Sequence, residues 1–148
     1  MAKYILDTNI LSYLWDTKSQ YHSKIINQLN NLNNDDTLGI SVVSYYELRY
    51  GVESINDTTL KDTFAHALEV LKNDKDFLIF SLDYSGAEYF SDLKSAYKKS
   101  TQVTNINNKR NDIDFMIASL AMSENAVIVS NDTISQLDKR LLYANWTL

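Results

Sequence analysis

The sequence predicts an α/β fold in which a central parallel sheet of four to five strands is flanked by helices. Four short apolar runs, Tyr4–Leu6, Leu38–Val42, Phe77–Phe80 and Val127–Val129, have the length and near-continuous apolarity of strands buried on both faces. Between them lie longer segments whose apolar residues recur at helical spacing, and strands that alternate with helices imply parallel pairing through right-handed crossovers. The 148 residues are 45% hydrophobic, enough for one core and a single domain spanning 1–148. With no proline and three glycines, the turns fall to Asn, Asp and Ser.

Each element has its own signal. Tyr4-Ile5-Leu6 is the first strand, and Ile10, Leu11, Leu14 and Trp15 fall on one face of the helix after it. Tyr21, Ile25, Ile26, Leu29 and Leu32 mark a second helix, closed by the polar run from Asn30 to Asp36. The strand Leu38–Val42 runs into Ser44-Tyr45-Tyr46-Glu47, whose Ser and Glu match a capping box opening the next helix. Leu60, Phe64, Ala67, Leu68 and Leu71 make another amphipathic helix before the strand Phe77–Phe80. Ala87, Phe90, Leu93 and Tyr97 give the helix after that. The segment Ser100–Asn111, rich in Asn and without apolar periodicity, reads as a loop. Ile113, Met116, Ile117, Leu120 and Ala121 then form a helix, Val127–Val129 a strand, and the tail through Leu142 and Trp146 a short fifth strand.

Composition narrows the function. Without cysteine there is no disulfide, no thiolate metal site and no cysteine nucleophile, which suits a reducing cytoplasm. Asp7 and Asn9 interrupt what would be the apolar core of a signal peptide, and no run reaches membrane-spanning length. A net charge of −5 argues against broad binding of nucleic acid by a basic surface. It is compatible with a nuclease whose carboxylates hold cations, since a bound ion reverses the local sign. Lys98, Lys99, Lys109 and Arg110 are candidate phosphate contacts. His22 reads as a helix-start residue and His66 as a solvated one, so a histidine pair for acid–base cleavage is missing.

The functional signal is a set of acidic junctions. Asp7 follows the first strand, Glu47 lies in the helix after the second, Asp112 and Asp114 open the helix before the fourth, and Asp132 follows the fourth. In a parallel sheet all strand carboxyl ends share one edge, where such folds place their ligands. At about 100° per residue Asp114 lies beside Ile117, Ala118 and Ala121, at the rim of the buried stripe, whereas Asp112 suits an N-cap. Four converging carboxylates repel unless something compensates them. Hard oxygen donors in that number favour Mg²⁺ or Mn²⁺, and the chemistry they suit is phosphodiester hydrolysis.

Tyr4-Ile5-Leu6-Asp7-Thr8-Asn9, Ile40 to Val43 with Glu47-Leu48-Arg49-Tyr50-Gly51, Asp114-Phe115-Met116-Ile117-Ala118 and Val127-Ile128-Val129-Ser130-Asn131-Asp132, with Asn145-Trp146 near the end, resemble in that order the PIN-domain ribonucleases. Within that family the match is to the VapC-type toxins of toxin-antitoxin systems. The resemblance implies a PIN-like α/β domain and a Mg²⁺- or Mn²⁺-dependent endoribonuclease whose acidic quartet is Asp7, Glu47, Asp114 and Asp132. Asp7 and Asp114 would be the surest ligands, and Asn9 and Ser130 match supporting polar positions that orient the cluster. It further implies an RNA substrate and a small cognate antitoxin that lies in a groove and directs a basic side chain at the acids, with a homodimer as the expected self-association. The aromatics Trp15, Tyr45, Tyr46 and Tyr50 are the surface expected to hold that partner. A non-catalytic PIN-like module binding RNA or protein is the alternative. A phosphatase is disfavoured by Asn9 where a second Asp would stand, and a phosphate-accepting signalling domain by Ser130-Asn131 where a lysine would stand.

Overall fold

A computed structural model describes residues 1–101, 111–132, 134 and 137–148. Its strands and helices follow in the order β1 (Lys3–Leu6), α1 (Thr8–Trp15), α2 (His22–Asn30), β2 (Thr37–Ser41), α3 (Val42–Glu53), α4 (Thr58–Asn73), β3 (Phe77–Phe80), a 3₁₀ turn (Tyr84–Gly86), α5 (Ala87–Thr101), α6 (Asp112–Ser123), β4 (Val127–Val129) and β5 (Leu142–Ala144). The five strands form one parallel sheet in the order β3-β2-β1-β4-β5. The expected fifth strand is therefore present at the sheet's edge.

Because successive strand residues point to opposite faces, adjacent residues feed two cores. Ile5 and Ile128 pack on one side with Leu93 of α5 and Phe115, Ile117, Ala118 and Ala121 of α6. Leu6 and Val129 pack on the other with Ile10 and Leu11 of α1, Ile25 of α2, Leu48 of α3 and Phe64 and Leu68 of α4. Trp146, past the end of β5, closes this second core against Tyr4 at a ring separation of 5.5 Å. Gly39 is required where β2 meets β3, because a Cβ there would run into the Leu78 carbonyl and stand 2.7 Å from the Phe80 ring.

Several boundaries differ from the sequence expectation. β2 stops at Ser41, and Ser41 caps α3 by accepting from the Val43 amide at 3.1 Å. The capping box expected at Ser44 and Glu47 is thus absent: α3 begins a turn earlier, and the β-branched pair Val42-Val43, which reads as strand, is its first turn. Asp112 is no N-cap either. Asn111 holds that position without a side-chain cap bond, and the Asp112 carboxylate pairs with Lys94 at 2.7 Å. Helix α5 continues through Thr101, so Ser100 is helical; Lys109, Arg110 and the rest of that expected loop up to residue 110 lie outside the described residues.

Candidate active site

The carboxyl ends of β1 and β4 lie side by side, with Leu6 opposite Val129. Asp7 continues the ladder by donating its amide to the Val129 carbonyl at 2.8 Å, then turns the chain into α1 from an extended conformation, as an N-cap residue does. Its side chain is 5% exposed. The Thr8 amide donates to Oδ1 at 2.8 Å and the Ser130 hydroxyl to Oδ2 at 3.0 Å. Cap and site residue are therefore the same carboxylate. Burial raises the Asp7 pKa above the usual carboxylate range, and the charges of Asp132 and Glu47 push in the same direction against those two hydrogen bonds.

Ser130 joins two of the acids. While its hydroxyl donates to Asp7, its oxygen accepts the Asp132 amide at 3.0 Å, and Asp132 Oδ1 accepts from the Ile134 amide at 3.3 Å. The Ser130 amide is itself tied to the Ala144 carbonyl of β5 at 3.0 Å, which fixes the turn. Asp114 enters from the first turn of α6, half-buried, where it has no hydrogen-bond or ion-pair partner among the described residues. Its pKa is pushed up to about 7, by burial first and then by the charges of Asp7, Asp132 and Glu47. Asp7, Asp114, Ser130 and Asp132 line one cleft, together with Ile128, Leu141 and Tyr143.

Glu47 stands at the side of this group, in the second turn of α3. Thr8 Oγ1 donates to its Oε1 at 2.5 Å and lies 3.0 Å from the Ser44 hydroxyl, which is fully buried. Sequence reasoning missed Thr8, Ser44 and Tyr143. Thr8 and Ser44 each lie within four residues of a predicted acid, but a contact between them needs the packing of α1 on α3, and only the register Ile128 to Tyr143 carries the tyrosine to the cleft. Asn9 is exposed on α1 and its side chain makes no hydrogen bond among the described residues. His22 Nδ1 sits 2.8 Å from the Leu14 carbonyl, a local link at the start of α2, and His66 is exposed on α4.

The donors are carboxylates and hydroxyls only, and no ion pair among the described residues reaches Asp7, Glu47, Asp114 or Asp132. A partly buried carboxylate without a partner, facing other carboxylates, fits a hard divalent cation. Among the described residues no three acidic or histidine side chains stand at the separation of a formed metal cage.

Comparison with known proteins decides the family. The model of the PIN domain matches residues 4–139. The chain belongs to the PIN domain family. This PIN domain is 27% identical over 145 residues to the ribonuclease VapC2 of Rickettsia felis, an alignment covering 97% of each chain. Its fold matches a chain of VapBC2 from Rickettsia felis bound to a DNA fragment from their promoter, with TM-score 0.71 and 24% identity over 97% of this chain and 98% of that one. It also matches VapBC-1 from nontypeable Haemophilus influenzae, with TM-score 0.73 and 23% identity over 99% of both chains. Among the described residues no helix is long and apolar enough to cross a membrane.

Proposed function

We propose that this PIN domain, spanning 1–148, is a metal-dependent endoribonuclease toxin that hydrolyses RNA phosphodiester bonds at Asp7, Glu47, Asp114 and Asp132. The observation that carries the reading is Asp114, a carboxylate without a partner, facing Asp7 and Asp132 across one cleft with its pKa pushed up to about 7. The ribonuclease VapC2 relative supports RNA as the substrate. Asp7 and Asp114 would hold Mg²⁺ or Mn²⁺, with Glu47 and Asp132 completing the site or acting through water. Such an ion, when bound, supplies the positive charge that activates water and stabilises the leaving oxygen. The chain's own residues do the positioning. Ser130 fixes Asp7 and the Asp132 backbone at once, and Thr8 holds one Glu47 oxygen.

The chain's partner in this reading is a small cognate antitoxin, as the VapBC neighbours suggest, in a cytoplasmic setting and with a homodimer as the self-association. A guanidinium from that partner can bridge Asp7 and Asp114 and replace the cation's charge. Inhibition then weakens as Mg²⁺ rises, because both compete for the same oxygens. Cleavage of RNA by the purified chain with Mg²⁺ or Mn²⁺, and its loss in EDTA, tests the activity. A chain inert under both conditions, and harmless when expressed alone, would instead be a non-catalytic module binding RNA or protein.

A further inference from the structure

We infer that Ser44 is a positioning residue of the acidic site: its hydroxyl donates to Thr8 and so commits the single Thr8 hydroxyl proton to Glu47. The inference rests on the ribonuclease reading and adds to it a residue that acts through two others, without touching substrate or cation. Ser44 is the third residue of α3 and is fully buried. Among the described residues its hydroxyl has one hydrogen-bond partner, Thr8 Oγ1 at 3.0 Å. A serine in a helix commonly returns its proton to a carbonyl one turn back, as Ser119 does to Met116 and Ser123 to Leu120. Ser44 makes no such bond, so its contact with Thr8 is where this buried hydroxyl is satisfied.

Counting protons sets the direction of the two contacts. Thr8 Oγ1 lies 3.0 Å from the Ser44 hydroxyl and 2.5 Å from Glu47 Oε1. In the ionised form that can hold a cation Glu47 only accepts, whereas each hydroxyl carries one proton and two lone pairs. Thr8 gives its proton to Glu47 and has none left for Ser44, so Ser44 is the donor in their contact. The chain of bonds runs from Ser44 to Thr8 to Glu47. Bonds aligned in this way polarise one another away from water. A β-branched side chain has few staggered rotamers, and the Ser44 donor favours the one that keeps Thr8 Oγ1 between α1 and α3.

The spacing that reads as a capping box thus has another use. Ser41 caps α3, which leaves Ser44 and Glu47 without that task. Residues three apart share one face of a helix, and here both side chains meet Thr8 of α1. Ser44 supplies the proton donor at the buried end of that face, and Glu47 receives its effect at the site.

The test is a double-mutant cycle of Ser44→Ala, Thr8→Val and the two combined, with Ser44→Cys alongside. The affinity of the RNA-free chain for Mn²⁺ is read by calorimetry and cleavage of a single-stranded RNA by gel, with circular dichroism to check folding. Ser44→Ala should weaken Mn²⁺ binding roughly 2- to 10-fold, the range of one net hydrogen bond, and slow cleavage with it. Ser44→Cys fills the space but donates weakly, so it should fall with Ser44→Ala, and it takes the place of that variant in the cycle if alanine does not fold. Added to Thr8→Val, the loss of Ser44 should change Mn²⁺ affinity by less than about 2-fold, because its route to Glu47 is already cut. Losses that multiply in the double variant overturn the inference, since Ser44 would then act on the fold independently of Thr8. Parent-like Mn²⁺ binding in the Ser44 variants overturns it too, and leaves the ribonuclease reading standing if the parent cleaves RNA and Asp7→Asn does not. A parent chain that neither binds Mn²⁺ nor cleaves RNA overturns both readings.

Discussion

Two groups of carboxylates in this molecule are built on opposite terms. In the first, Arg140 Nη2 reaches Asp92 at 2.9 Å and Asp138 at 2.6 Å, with its guanidinium 5.2 Å from the centre of the Tyr89 ring. Hydrogen bonding to Arg140 holds the Asp138 carboxyl below its usual range. In the second, Asp7 and Asp114 share a cleft with Asp132, no cation pairs with any of them among the described residues, and burial raises both pKa values. The carboxylates of the first group are compensated by their cation, while those of the cleft are left uncompensated. Asp112 and Asp114 show the contrast within one helical turn. The first is paired to Lys94 and the second to nothing among the described residues.

The largest effects should come from breaking the second group. Asp7→Asn keeps the shape but removes a charge, so RNA cleavage with Mg²⁺ should vanish while the metal-free protein melts no lower than its parent; full activity in this variant would refute the assignment. Asp114→Ala should lose cleavage by orders of magnitude in the same assay. A smaller loss, about 10- to 100-fold, is expected for Thr8→Val, which leaves Glu47 without the hydroxyl that holds it, and Thr8→Ser should restore most of it.

Proton linkage sharpens the comparison without a substrate. The folded pKa of Asp114, about 7, lies above its ordinary 3.8, so its stabilising contribution is full below about pH 4 and is lost as pH rises through about 7. Asp7 acts with the same sign. The melting temperature of the metal-free chain should therefore fall between pH 5 and pH 8 more steeply than that of Asp114→Asn, and equal slopes would remove Asp114 from the cluster. The smallest effect belongs to Asp112→Ala, which breaks a partly exposed pair with Lys94. It should cost about 1 kcal/mol or less in urea unfolding and leave cleavage intact. An inactive Asp112→Ala beside an active Asp114→Ala would shift the site by two residues.

How far the sequence could be read differs from residue to residue. Asp114 was legible because its helical phase places it against Ile117, Ala118 and Ala121, all three fully buried in the structure. The start of α3 was not, because Val42-Val43 has strand propensity and only the Ser41 cap bond decides for the helix. Asp112 looked like a cap from its position, and a salt bridge from another helix overrode that local signal. Tyr46 and Tyr50 carry the same letters as the half-buried Tyr45, and only the packing of α3 on its neighbours says which face is left outside.

By itself the sequence determined the alternation of strands and helices and the placing of acids at strand and helix ends, because burial periodicity and chain order are local properties that survive without any long-range contact. The tertiary structure alone decided the strand order β3-β2-β1-β4-β5 and the bonds that assemble the site. Ser130 reaches Asp7 across 123 residues of chain and Thr8 reaches Glu47 across 39. Such bonds depend on register and on how one helix lies against another, so no spacing within the chain encodes them.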